Sequence, residues 1–483
     1  MQEEASERER ITGEAPRNDG GQISRLFSRW LACYRAPQSW ATGAQPEGEP
    51  GPAVNEPTGV GSAQWWANVT AKGCPLFAPL TADRYEVLFL WRDPQGNARH
   101  STTQTVYMDV NSVTDHHSPT PAMMQRWPGT DVWYWLMQVP ADWRGAYQFI
   151  PCPAALCHDP LRAAREPGYQ RQWWISLQAL AVRDPLNPVR AQRSQWGARQ
   201  SALQMPRAPA QPAWTSFDLG ADTIPPTVVE MAWESPRLGN RRSVWRYQTG
   251  HAVQTSTGRS SAKAGQAEQP LPLVILLDGR FWAENMPVFD ALEYETRSGR
   301  LPPALYLLID EIDTETRSIE LPCNPVFWEA VLQELLPQVA AEVPVTQQAS
   351  QTVVAGQSFG GLAALYAGLH WPTRFVAVLS QSGSFWWPDR TLVHKVADPI
   401  HGRLPGAGGW LTDYARQHGL ATPLKVWLEA GTREGEMISL SETMSEVLQA
   451  GPHQVACRAF EGGHDRLCWR GGLLAGLSWL LAD

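Results

Sequence analysis

VVAGQSFGGLAALYAGL, running from Val353 to Leu369, decides how the chain is read. Val353-Val354-Ala355 is a short β-branched run. Gly356-Gln357-Ser358-Phe359-Gly360 follows it, and Gly361-Leu362-Ala363-Ala364 opens a helix rich in small residues. In a strand–turn–helix setting, the serine of G-x-S-x-G becomes a nucleophile at the tip of a sheet. The turn must be sharp, so glycine is required at 356 and 360, where a side chain would meet the neighbouring strand or helix. Ser358 is the expected nucleophile. The backbone N–H of Phe359, at the helix start, is expected to face a developing oxyanion. A glycine-rich turn with an idle serine is the alternative, and the apolar strand before it and the helix after it weigh against that.

Outward from this turn, apolar runs alternate with helical patterns. The runs are 273–277, 305–309, 353–355, 376–379 and 426–428; the helical patterns cover 327–341, 360–370, 439–450 and 467–482. Uninterrupted apolar strands separated by helices predict a mostly parallel sheet covered on both faces. Two alternating segments in front, 228–233 and 242–249, complete an α/β-hydrolase plan over residues 227–483.

A serine hydroxyl needs a histidine base, usually oriented by a carboxylate, and in this plan the chain order is Ser, acid, His. His464 lies in Phe460-Glu461-Gly462-Gly463-His464-Asp465, a glycine-bearing loop before the last helix, and is the expected base. The strand 425–430 runs into Gly431-Thr432-Arg433-Glu434-Gly435-Glu436. Glu434 is the first choice for the acid and Glu436 the second, and a Ser–His dyad without a carboxylate remains open. Asp465 is expected to cap the following helix. The second oxyanion donor is expected from Leu277-Asp278-Gly279-Arg280-Phe281-Trp282, through the N–H of Arg280. The Arg280, Arg433 and Arg466 side chains could face an anionic substrate or form surface ion pairs. Trp282, Trp386 and Trp387 follow strand ends, where ligands bind in open α/β sheets. They are candidates for stacking on aromatic rings, with a core role as the alternative.

The N-terminal half has a different grammar. From Gln64, short alternating segments (85–91, 105–110, 131–135, 147–150) are separated by turn signals such as Asp93-Pro94-Gln95-Gly96-Asn97, which predicts an all-β sandwich domain over 59–182. Residues 183–226 are proline-rich and read as a linker or strap. Residues 1–58 read as a flexible tail with one short helix near 23–30, and 254–269 as a polar loop.

Composition narrows the classes. The 483 residues are 43% apolar and 18% charged, so the chain is globular and long enough for two domains. The net charge of −8 argues against bulk electrostatic binding to nucleic acid. No apolar run is long enough to span a membrane, and the N-terminus lacks the apolar core of a secretory signal, so a cytoplasmic location is expected. The seven scattered cysteines form no metal-binding or disulfide pattern, and no metal site is expected. Twenty-four tryptophans suggest stacking surfaces as well as core.

Several segments resemble the enterochelin (enterobactin) esterase family. They are Ser235–Trp245, Leu276–Trp282, Ile309–Asp313, Arg317, Glu320–Asn324, the G-Q-S-F-G turn and Ser382–Trp387. In the N-terminal half, Phe89–Asp93, Gly129–Trp133, Asp184–Pro188 and Ser201–Leu203 carry the same resemblance. It implies a cytoplasmic serine esterase that opens the trilactone of a ferric catecholate siderophore, with no cofactor of its own and iron entering only inside the substrate. The sequence departs from the family in its acidic tail, in the 254–269 stretch, and in Gly435, where the family often has proline. A general carboxylesterase or acyltransferase is the second reading. A non-catalytic protein that binds an aromatic or sugar ligand is the third.

Overall fold

The apolar runs of the C-terminal half form strands of one sheet in the computed structural model, which describes residues 59–166, 168–193, 199–221, 224–250, 270–394, 408–419 and 421–482. The expected tail, its short helix and the polar loop at 254–269 lie outside the described residues. Described residues up to Ala208 make one compact unit, and those from Pro209 make a second.

The first unit contains helix α1 (Ala63–Lys72), strands β1 (Leu76–Pro79), β2 (Arg84–Arg92), β3 (Thr103–Val110), β4 (Gln125–Arg126), β5 (Val132–Pro140) and β6 (Arg144–Pro153), helix α2 (Tyr169–Leu177), and strands β7 (Gln192–Arg193) and β8 (Arg199–Gln204). They form two antiparallel sheets, ordered β1-β2-β5-β4 and β3-β6-β8-β7. Alternation along each strand explains the pairing. Val87, Phe89 and Trp91 of β2 and Trp133, Trp135 and Met137 of β5 share one core with Val106, Met108, Tyr147 and Phe149 of the other sheet. This is the expected sandwich. The outer faces are covered too: Leu88 and Leu90 pack on Trp65, Trp66 and Val69 of α1, while Tyr107 and Ile150 pack on Trp173 and Trp174 of α2.

Residues 183–208 are not the linker that their prolines suggested. Asp184 is fully buried and accepts the Tyr147 hydroxyl at 2.7 Å, and Asn187 Nδ2 donates to the same hydroxyl at 3.0 Å. Farther on, β8 pairs with β6 as part of the sandwich. Proline has no N–H to satisfy, and the Asp and Asn side chains supply the local hydrogen bonds that a ladder would otherwise provide.

The second unit holds β9 (Val229–Ser235), β10 (Asn240–Gln248), β11 (Leu273–Leu276), β12 (Leu305–Ile309), β13 (Thr352–Gln357), β14 (Ala377–Gln381), β15 (Lys425–Gly431) and β16 (Gln454–Phe460). Their order is β9-β10-β12-β11-β13-β14-β15-β16. β10 runs antiparallel to both β9 and β12, and the other neighbouring pairs are parallel. The principal helices are α3 (Phe289–Arg297), α4 (Phe359–His370), α5 (Trp410–His418), α6 (Glu436–Gln449) and α7 (Arg466–Leu481). One face of the sheet (Ile275, Leu307, Val354, Val378, Leu428) packs on Leu362 and Leu365 of α4 and Met444 of α6. The other (Val274, Leu308, Val353, Leu379) packs on Phe289 and Leu292 of α3 and Leu473 and Leu477 of α7. The double covering requires the uninterrupted apolar strands seen in the sequence.

The helix read over 327–341 is interrupted. Pro325–Ala330 and Leu336–Ala340 are α-helical, and Val331–Leu335 between them is a widened π turn. Pro337 has no N–H to return to the preceding turn, and the wider turn accommodates it.

The sheet presents the strand–turn–helix at its centre. A Cβ on Gly356 would lie 2.4 Å from the backbone of Gly360. Gly356→Ala is therefore expected to cost about 1–3 kcal/mol of stability through overpacking against an immovable backbone. Urea unfolding of the variant beside wild type measures it.

Candidate active site

Ser358 joins β13 to α4 with φ 58° and ψ −119°, a conformation that non-glycine residues adopt only when the surroundings enforce it. Two hydrogen bonds enforce it here: Ser358 N–H donates to Gln381 O at 2.9 Å, and its carbonyl accepts the N–H of Ser384 at 3.1 Å. The Ser384 hydroxyl lies 3.4 Å from Ser358 Oγ. Ser358 and Phe359 are partly exposed in an otherwise buried segment, so the hydroxyl can meet a ligand.

The loop after β11 comes alongside. Asp278 has φ 55°, and a Cβ on Gly279 would lie 2.5 Å from the backbone of Leu308 and Ile309. Leu277 and Asp278 reach the start of α4, because a Cβ on Gly360 would stand 3.3 Å from Asp278 Oδ2. Arg280 and Phe359 thus lie in the first turns of two helical segments beside one another, and first-turn N–H groups have no acceptor within their own helix.

On the far side, His464 Nδ1 is 2.6 Å from Glu434 Oε2. The Glu434 side chain is 1% exposed and that of His464 43%. The other carboxylate oxygen, Oε1, accepts the N–H of Gly431 and the hydroxyl of Ser382, each at 2.7 Å. Glu436 instead begins α6, where its carboxylate accepts the Ser439 hydroxyl at 3.0 Å. Gly435 between them has φ 58°, which proline cannot adopt, and this bend sends the two glutamates different ways. Asp465 caps α7 through the N–H of Leu467, as expected.

The cationic and aromatic candidates divide. The Arg280 guanidinium is held by both oxygens of Asp310, and that of Arg433 by Glu461. Arg466 lays its guanidinium over the Phe281 ring at 4.0 Å, and burial lowers its affinity for a proton. Trp282 does not face a ligand: it is 1% exposed, packs near Trp214 and donates its indole N–H to Gln357 at 3.0 Å. The turn after β11 aims it into the core shared with Trp214, Phe281 and Phe289, and sequence could not reveal that direction. Trp386 and Trp387 are half-buried, and Trp386 meets the Phe359 ring at 5.6 Å.

Family models match both units. "Enterochelin esterase, N-terminal" covers residues 86–214, and the Esterase family covers 261–480. The iron(III) enterobactin esterase of Dickeya dadantii (strain 3937) is 46% identical, over 91% of this chain and 97% of the relative. The chain belongs to the enterochelin esterase family. Among solved members, ferric enterobactin esterase from Salmonella typhimurium is 44% identical with TM-score 0.73, over 87% of this chain and 98% of that one. Enterobactin esterase from Shigella flexneri, crystallised in the presence of enterobactin, is 42% identical with TM-score 0.71 and the same coverages.

Beneath this family member's site runs a polar row that sequence reading left without a role. Trp282 donates to Gln357, Gln357 Nε2 to Gln381 Oε1 at 2.7 Å, and Gln381 Nε2 to Glu429 Oε1. Arg317 joins it from the side, donating to both oxygens of Asp278 and to Gln357 O at 3.1 Å. Burial pushes Glu311, beside Asp278, up to about 7. Among the described residues no group of three or more His, Cys, Asp or Glu could hold a metal ion, and no helix is long and apolar enough to cross a membrane.

Burial likewise pushes Glu429 up to about 7 from an ordinary 4.5, against the opposing donors of Gln381 and Trp427. The folded value lies above the unfolded one, so its stabilising contribution is complete below about 4.5 and is lost as pH rises through 7. Between pH 4.5 and 8 wild type should lose about 3 kcal/mol of unfolding free energy on this account. Glu429→Gln should flatten that dependence in urea titrations at the two pH values.

Proposed function

We propose that this chain is a serine esterase that hydrolyses the trilactone of a ferric catecholate siderophore of the enterobactin type. The observation that carries the reading is a Glu434–His464 pair tied, through Ser382 and the Ser384 N–H, to the turn that holds Ser358 at positive φ. Family membership and the likeness to proteins described as enterobactin esterases support the substrate class.

Ser358 Oγ attacks a lactone carbonyl while His464 accepts its proton through Nε2. Glu434, bound at Nδ1, holds the tautomer and stabilises the imidazolium. The oxyanion is received by the N–H groups of Phe359 and Arg280. Collapse expels the serine alkoxide of the neighbouring unit, which takes the proton back from His464. Water then enters, is deprotonated by the same imidazole and cleaves the acyl-enzyme, leaving a linear chain with a free carboxylate. The half-open Phe359 and Trp386 rings beside the nucleophile suit a catechol-bearing substrate. Iron arrives and leaves with the substrate and its products, and the reaction asks no cofactor of the protein. Cytoplasmic location belongs to the same proposal, because the ferric complex must be opened where released iron is used.

Chromatography of products after incubation with the ferric trilactone tests the reading. Wild type should give linear trimer, dimer or monomer, and Ser358→Ala should fall by about 10⁴-fold or more. Intact trilactone with folded wild type, alongside turnover of simple acyl esters, would replace the substrate assignment. His464→Ala is expected to lose a comparable factor, because serine and base act as one unit.

A further inference from the structure

We propose that Ser382 is a positioning residue for the Glu434–His464 pair: oriented by the Trp469 indole, its hydroxyl fixes one oxygen of Glu434 so that the other stays on the imidazole. The inference rests on the acid and base roles proposed above.

Ser382 is the residue after β14 and is fully buried, at φ 47°. Its N–H donates to Glu429 O at 2.6 Å, which holds it beside the end of β15, where the turn bearing Glu434 begins. A serine hydroxyl has one proton to give, and here it goes to Glu434 Oε1 at 2.7 Å. Ser382 Oγ in turn accepts the Trp469 Nε1–H at 2.9 Å. With a fixed donor on one side and a fixed acceptor on the other, the hydroxyl has one orientation. Glu434 Oε1, taking both this proton and the Gly431 N–H, is held on two bonds, and the carboxylate plane directs Oε2 to His464 Nδ1.

Trp469 closes the circuit. Its ring stands edge-on to the His464 imidazole, with centroids 4.6 Å apart and planes at 83°. One buried indole from α7 thus touches both the hydroxyl that sets the carboxylate and the imidazole that the carboxylate orients. Two residues on, Ser384 donates its N–H to the carbonyl of Ser358. The segment 382–384 therefore ties the turn bearing the acid to the nucleophile's own backbone.

A purely structural serine would satisfy the buried indole and do nothing more. A double-mutant cycle separates the two cases. kcat and KM on the ferric trilactone are measured for wild type, Ser382→Ala, Glu434→Ala and the double variant, with unfolding midpoints alongside. Alanine keeps the Cβ and removes only the hydroxyl. Ser382→Ala should lower kcat roughly 10- to 100-fold, as the loss of an outer orienting partner does, with KM within about twofold. In the Glu434→Ala background the same change should cost nothing more in kcat. Trp469→Phe keeps a ring against His464, loses the N–H, and should give a smaller kcat loss that also vanishes without Glu434. It carries the test if Ser382→Ala does not fold.

Wild-type kcat in Ser382→Ala would overturn the proposal while leaving the acid and base assignment intact. An equal loss in both backgrounds would overturn it in favour of a structural serine. Full activity in Glu434→Ala, with Ser358→Ala still dead, would remove the carboxylate's role and this inference with it.

Discussion

Backbone contact at one turn governs the site. Gly356 and Gly360 must touch for β13 to turn into α4, and that contact leaves Ser358 in a conformation worth about 1–3 kcal/mol of strain. The strain persists because the turn is held from outside, by Gln381 O on one side and the Ser384 N–H on the other. The neighbouring strand, the segment after it and the loop after β11 all take their places around this turn. The turn is held because the sheet is assembled, and any change that loosens β14 reaches Ser358 through those two bonds.

Charge in the site is largely spent on the protein itself. Arg317 is engaged by Asp278 and Arg280 by Asp310, while burial shapes the titration of Glu311 and Arg466 beside them. Ion pairs of this kind set loop geometry more than they attract ligands from solution, especially in a chain with net charge −8. On the proposed reading, a highly charged ferric complex is recognised by shape, aromatic contact and local exchange of partners, not by a broad cationic field.

The sequence made some of this legible and hid the rest for identifiable reasons. Ser358 and His464 could be singled out as candidates because each sits where glycine and chain order leave few choices. The two-layer sandwich and the parallel sheet followed from period-2 alternation and from uninterrupted apolar runs. The choice between Glu434 and Glu436 stayed open because it turns on a positive φ at Gly435, which no spacing encodes. Trp282 looked like a ligand-facing aromatic because strand ends attract ligands, yet the first turn after β11 aims it inward. Residues 183–226 read as a linker or strap, although 183–208 belong to the sandwich, because proline counts register missing N–H groups and overlook the side chains that replace them. Ser382 and Trp469 lie 87 residues apart, and their contact belongs to the tertiary structure alone.

The polar row under the site has a consequence for how the sheet is assembled. β13, β14 and β15 are buried along both faces and mostly apolar, and apolar positions alone carry little to tell one alignment from the next. Gln357 pairs directly with Gln381, and Gln381 with Glu429, across all three strands. Sliding any strand by one residue would move its amide or carboxyl to the opposite face and strand two buried polar groups without partners, at roughly 1–3 kcal/mol each. The row acts as an alignment key: three hydrogen-bonding side chains in an oily sheet make the correct stacking of strands the only one that closes, and thereby bring Ser358, Ser382 and Glu434 to the same edge.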